Sequence, residues 1–182
     1  SYPATAVITA TTVDGGFTAS CEVTFVKQKV ESVSFESSEI TVYEGGTQTL
    51  SAVINPSDAT IKGVTWSSSD SNIAAVENGV VTAVSTGDAV ITVTTDDGGF
   101  TADCKVMVRA NKDALNSMIE KVLNANLDKD NFPAEDWQAL SEALTAAEEV
   151  YAAELATQAE VDDAASKLSN AFAALGTSAQ IS

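Results

Sequence analysis

The sequence predicts a multidomain chain that is all-β and then all-α, an antiparallel β-sandwich followed by an up-down-up three-helix bundle. Three observations carry this: an internal repeat at a spacing of 83 residues, a run of short strands alternating with period two, and a switch of the hydrophobic period to about 3.5 after Ala110. The 182 residues, 45% of them hydrophobic, are enough for one or two domains that each bury a core.

The repeat is read first. Residues 6–23, AVITATTVDGGFTASCEV, and residues 89–106, AVITVTTDDGGFTADCKV, agree at 14 of 18 positions. A spacing of this length is one sandwich domain. The partner strands that precede the second copy have no counterpart ahead of the first, so residues 1–26 read as the C-terminal hairpin remnant of a preceding repeat. Its apolar face, formed by Ile8, Phe17, Ala19, Cys21, Val23 and Phe25, has no sheet of its own to cover it. A lone hairpin is marginal, and the expectation is disorder, packing onto a neighbour, or strand exchange with another chain.

Between Val30 and Arg109 turn signals divide a stretch rich in Val, Thr, Ser and Ile: Glu44-Gly45-Gly46, Asn55-Pro56-Ser57-Asp58, Asn78-Gly79, Thr86-Gly87-Asp88 and Asp97-Gly98-Gly99. Ala89, Ile91 and Val93 share one face, as do Phe100, Ala102, Cys104, Val106 and Val108, while Thr101, Asp103 and Lys105 face water. Val64 and Trp66 alternate in the same way, which places Trp66 as an anchor of the core. Asn78-Gly79 is the pair a two-residue type I′ turn needs, because both central residues take positive φ.

After Ala110 the β-branched residues thin out and Ala, Leu, Glu and Asp take over. A first helix carries Leu115, Met118, Ile119, Val122 and Leu123. The polar stretch from Leu127 to Phe132 ends it, and Pro133 suits the first turn of a second helix. That helix presents Trp137, Leu140, Leu144, Ala147 and Tyr151. Thr157 and Glu160 form a capping box opening a third, whose seam is Val161, Ala165, Leu168, Phe172 and Leu175, with Gly176 placed as its stop.

Composition narrows function. The formal charge of -17 is shared between 13 acids and 5 bases in residues 1–110 and 13 acids and 4 bases in residues 111–182. No basic stripe is present to neutralise phosphates, so nucleic acid is excluded as a partner, and no apolar run is long enough to insert in a membrane. Histidine is absent, which removes the commonest general base and metal ligand near neutral pH. With no nucleophile-base pair and no phosphate-cradling glycine loop, no catalytic, cofactor-binding or metal residues are assigned, and no cofactor is expected. Acidic groups such as Asp96-Asp97, Asp128-Lys129-Asp130 and Asp162-Asp163 lack the register of a calcium loop and read as solvated turns and helix-dipole partners. Cys21 and Cys104 fall on the apolar parity of their strands and read as buried free thiols. The remaining candidates for ligand contact are the aromatics Tyr43, Phe132, Trp137 and Tyr151, because sugar rings stack on exposed aromatic faces. The competing reading puts Trp137 and Tyr151 on the buried face of the bundle and Phe132 as a staple at a helix start.

Residues 64–99, VTWSSSDSNIAAVENGVVTAVSTGDAVITVTTDDGG, resemble the bacterial immunoglobulin-like group 2 domain, whose W-S-S-S-D, A-x-V, G-V-V-T-A and G-x-A-x-I-T-V elements occur in order. The resemblance covers about residues 28–109 and makes the sandwich immunoglobulin-like. Residues 111–175 resemble the FIVAR three-helix module, most clearly in Ala156-Thr157-Gln158-Ala159-Glu160-Val161-Asp162-Asp163-Ala164; Asn131-Phe132-Pro133 departs from it by replacing the tyrosine usual before the second helix. The implied domains are 1–26, 28–109, 111–176 and a tail at 177–182. Both resemblances imply an accessory segment of a secreted or cell-wall-attached bacterial protein, a stalk or spacer whose partners are neighbouring domains of the same polypeptide. The alternative they imply is an adhesion or carbohydrate-binding module for host-surface or mucin-type glycans or a protein receptor.

Overall fold

The change of hydrophobic period near residue 110 is where sheet gives way to helix. The computed structural model describes residues 3–178. The strands are β1 (Ala4–Thr11), β2 (Thr18–Phe25), β3 (Ser32–Phe35), β4 (Glu39–Tyr43), β5 (Thr47–Thr49), β6 (Ala52–Asn55), β7 (Val64–Ser68), β8 (Ala74–Glu77), β9 (Val80–Ala83), β10 (Gly87–Thr95) and β11 (Thr101–Arg109). The helices are α1 (Asp113–Leu123), α2 (Ala134–Ala152) and α3 (Gln158–Ser178), with a short 3-10 turn at Lys129–Asn131 before α2.

Residues 30–110 form one β-rich unit. Its largest sheet has the order β4-β11-β10-β7, beside a β3-β6 pair and a β5-β9-β8 sheet. The alternation read from sequence decides which side chains meet. Ile91, Val93, Cys104, Val106 and Val108 have no exposed surface, and all but Val93 share a core with Ala74, Val81 and Ala83 of the β8-β9 hairpin. Burial of each such aliphatic side chain stabilises by about 1.5–3 kcal/mol. Trp66 is half-buried and packs on this core against Phe35, ring centroids 5.7 Å apart. Asn78 and Gly79 take φ of 51° and 82° between β8 and β9, as the two-residue turn requires. One expectation is corrected: β4 runs parallel to β11, with Lys105 opposite Glu39 and Arg109 opposite Tyr43. A parallel partner needs a crossover connection, and here it is the whole path from β5 to β10, a long-range arrangement that no local pattern encodes.

The hairpin of β1 and β2 stands apart. The two strands pair over eight residues, with Ile8 opposite Cys21, and among the described residues form a two-stranded sheet. The hairpin closes its turn locally through Thr12, Gly15 and Gly16. It lacks cover, and Val7, Ile8, Phe17 and Phe25 are exposed.

The three helices pack on one another around Leu115, Ile119, Val122, Leu140, Ala147, Val161, Leu168 and Leu175. Phe132 and Trp137 stack with centroids 6.3 Å apart. They occupy the positions before the cap and at the fourth residue of α2, where a hydrophobic staple fixes the entry of the chain. The capping box forms as read: Glu160 N donates to Thr157 Oγ1 at 3.2 Å and Thr157 N donates to Glu160 Oε2 at 2.8 Å. Two expectations are corrected. Gly176 does not stop α3, which continues to Ser178; one glycine costs only about 1 kcal/mol in a helix, and nothing crowds this one. Leu123 points outward, 57% exposed at the last residue of α1. The remainder of the tail, residues 179–182, lies outside the described residues.

Candidate functional surfaces and the joint between units

The four aromatics singled out from sequence do not converge on one site. Tyr43 ends β4 and is exposed. Tyr151, one residue from the end of α2, is also exposed, against its reading as a buried position, and the Lys112 ammonium lies 6.0 Å from its ring centre. Phe132 and Trp137 are half-buried and stacked on each other. Trp137 lines a cavity of about 350 Å³ with Leu123, Asn126, Leu127, Leu140 and Ser141.

The two cysteines separate as well. Cys104 is buried, and loss of solvation, helped by the nearby Glu39 charge, pushes its thiol above the ordinary range. Cys21, expected to be buried, is exposed. Cys21 has the same strand parity as Cys104, and among the described residues β1 and β2 pair only with each other. Neither thiol is in a disulfide. Among the described residues no group of three or more His, Cys, Asp or Glu is placed to hold a metal ion.

The densest polar constellation lies elsewhere, where the β-rich unit meets the helices. Three residues, 110–112, separate β11 from α1. Arg109, the last residue of β11, donates from Nη1 to Asp88 Oδ1 at 2.8 Å and to Gly87 O at 3.1 Å, and from Nη2 to Glu154 Oε1 at 3.1 Å. Its fork therefore ties the β10 start to the α2–α3 loop. Burial works against this cation, but the bonds to Asp88 and Glu154 outweigh it and raise its affinity for the proton. Asp88 is held below the usual carboxylate range by its bonds to Lys105 and then Arg109.

The same loop is held from other directions. Gln158 N donates to Glu44 Oε2 at 3.3 Å, and Asn111 N donates to Gln158 Oε1 at 2.8 Å. Thr86 Oγ1 donates to Leu155 O at 3.3 Å. Lys112 Nζ bonds to Tyr151 O, at 2.8 Å, and to Ala153 O; these carbonyls lie at the α2 C-terminus, where acceptors lack intrahelical donors and a cation is favoured. Sequence reading missed this joint. Its signal was two of only nine bases, Arg109 and Lys112, flanking the point where the hydrophobic period changes.

At the other end of the β-rich unit, Lys27 lies two residues after the end of β2. Its ammonium pairs with Asp97, which also accepts from Val30 N at 3.1 Å. The Lys27 bond, then the Val30 N–H, hold Asp97 below the ordinary aspartate range.

Comparison with known proteins places the β-rich unit. Residues 29–106 match the family described as bacterial Ig-like domain (group 2), a non-catalytic module. An alpha-L-arabinofuranosidase of Bifidobacterium longum is 45% identical over 71 residues, 38% of this chain and 7% of that protein. An Ig-like virion protein of Serratia phage KSP90 is 34% identical over 106 residues, 56% of this chain and 41% of that protein. The aligned stretches thus span well under two thirds of either relative, and the Ig-like domain is one part of larger proteins. Among solved structures, domains 4 and 5 of the S-layer protein SbsC align with 58% of this chain and 65% of theirs at 18% identity and a TM-score of 0.39, too loose an overlay to add to the argument. Among the described residues no helix is long and apolar enough to cross a membrane.

Proposed function

We propose that the chain is a non-catalytic accessory segment of a secreted or cell-wall-attached bacterial protein, a stalk or spacer that sets the distance and orientation of neighbouring domains at the cell surface. On this reading an Ig-like two-sheet sandwich, residues 28–109, is coupled to an up-down-up bundle of the FIVAR kind that begins at residue 111. The observation that carries it is the joint. A three-residue connection, bridged on several sides by Arg109, Glu44, Thr86, Lys112 and Gln158, removes most of the freedom that a flexible linker leaves. Restricting that freedom raises the effective concentration of whatever the flanking domains present.

Amide relaxation and residual dipolar couplings test this. A spacer requires both units to share one alignment tensor, and the Arg109→Ala, Gln158→Ala double variant should split it into two while leaving each unit folded. Independent tumbling of the units in the unaltered chain would sink the reading.

A second reading, a module that binds glycans or a protein receptor, is favoured by one observation: Trp137 borders a cavity that also offers Asn126 and Ser141, an apolar face beside polar groups. Binding to mucin-type glycans by the intact chain, lost in Trp137→Ala with the helical circular dichroism retained, would establish it.

A further inference from the structure

The β-rich unit takes its chain in at one end and releases it at the other. At the entry, the Lys27 ammonium and the Val30 N–H both meet Asp97, which lies in the turn between β10 and β11. At the exit is Arg109, the last of the nine residues of β11, roughly 30 Å from that turn at the rise of an extended strand. A pull on the residues that flank this unit therefore runs along β11.

The strand that borders β11 on the side away from β10 is β4, at the edge of the four-stranded sheet. It runs parallel to β11, from Glu39 opposite Lys105 to Tyr43 opposite Arg109. The ladder is closed at one end by Lys105 N, which donates to Ser38 O at 2.8 Å, and at the other by Glu44 N, which donates to Arg109 O at 2.9 Å. Val42, Val106 and Val108 are buried beneath it and keep water from one side of these bonds. The bonds of a parallel ladder are evenly spaced. Tension drawn backward through β4 and forward through β11 slides the two strands past each other, and every bond between them is strained at once. Were the pair antiparallel, the same pull would act on neighbouring strand ends and open the bonds one after another.

The helices have no such pairing. Across α1, α2 and α3 the core contacts are between apolar side chains, and such contacts lose much of their strength once a gap of about 1 Å opens.

We propose that the β-rich unit is a load-bearing element, in which the β4-β11 ladder resists tension in shear while the helical unit in series with it yields at lower force. The ladder sets the strength of the chain under load, and the helices set how far it extends before that strength is reached. The inference rests on the spacer reading for the source of the tension. Its own footing is the ladder rather than the joint, so the two fail separately: independent tumbling of the units would sink the spacer and leave the response of the ladder to pulling unchanged.

Single-molecule pulling on one protein along two directions tests it. Tyr43 is exposed and Cys104 is buried, so in a chain carrying Tyr43→Cys and Cys21→Ser a thiol-linked handle attaches at position 43 alone, and tags at the two chain ends take the others. Pulled between its ends, the chain should lengthen first by the β1-β2 hairpin and the helices and last, at severalfold higher force, by the roughly 250 Å that the β-rich unit stores. Pulled between position 43 and the C-terminal end, β4 and β11 are drawn apart from the same end of their ladder. The β-rich unit should then open at severalfold lower force although the protein and its stability are the same, because forced unfolding is governed by the unfolding barrier rather than by net stability. Equal force along the two directions overturns the inference, and so does a β-rich unit that opens before the helices in the end-to-end pull.

Discussion

Ile8 and Ile91 are the same residue at the same place in two copies of one hairpin, so truncating each isolates the effect of cover from that of local sequence. Ile91 has no exposed surface and Ile8 is 61% exposed. Ile91→Ala deletes three carbons, which at about 0.8 kcal/mol per buried methylene removes about 2.4 kcal/mol. The cavity left in a core that contains Ala74, Val81 and Cys104 raises the loss to roughly 3–4 kcal/mol. Ile8→Ala loses only the smaller covered share, about 1 kcal/mol at most, and that loss falls on the hairpin rather than on the β-rich unit. Trp66 and Trp137 are the chain's two tryptophans, so a Trp137→Phe background leaves Trp66 fluorescence to report the β-rich unit in urea. There Ile91→Ala should lower the unfolding free energy by the full 3–4 kcal/mol, and the melting temperature by roughly 15 °C or more, while Ile8→Ala leaves the Trp66 transition within about 0.5 kcal/mol. Equal losses in the two variants, or a loss under about 1 kcal/mol for Ile91→Ala, would refute the assignment of one core to the second hairpin alone.

Thr157→Ala should cost the helical unit about 1 kcal/mol, the usual loss of an N-cap hydroxyl, read from Trp137 fluorescence. The Glu160 carboxyl, held down by the Thr157 N–H and then its hydroxyl, should move back toward the ordinary glutamate value in a carbon-detected titration. Stability should also fall with acidification. Asp97, Asp88 and Glu160 each bind a proton less readily in the folded chain than in the unfolded one. Their stabilisation is therefore complete above the ordinary carboxylate values near about 4, and is lost as pH falls through the lower folded values. Urea midpoints measured from pH 6 to pH 2 check this, and Asp97→Asn should flatten the part of the profile reported by Trp66.

Much of the fold was legible because it is locally encoded. Period-two alternation placed β10 and β11, Asn78-Gly79 placed the β8-β9 turn, and the Thr157-Glu160 box placed the start of α3, each through interactions spanning a few residues. Gly176 misled because a stop signal is a weak preference that helix continuation overrides. The joint was not legible: Arg109 to Glu154 spans 45 residues and Glu44 to Gln158 spans 114, and polar pairs at such separations follow from how two units dock rather than from any spacing. The same holds for Trp137, whose helical phase fixes its side of α2 but not how much of the ring its neighbours cover.

By itself the sequence determined the hairpins. Residues 6–23 and 89–106 carry nearly one sequence and adopt one register and one turn, because pairing and turn geometry depend on atoms within the segment. Only the tertiary structure decided that Cys104 is buried and Cys21 exposed, that β11 has a parallel partner, and which residues clamp sheet to helix. Burial is a property of what lies on the other side of a face, and that side is supplied by chain far away in sequence.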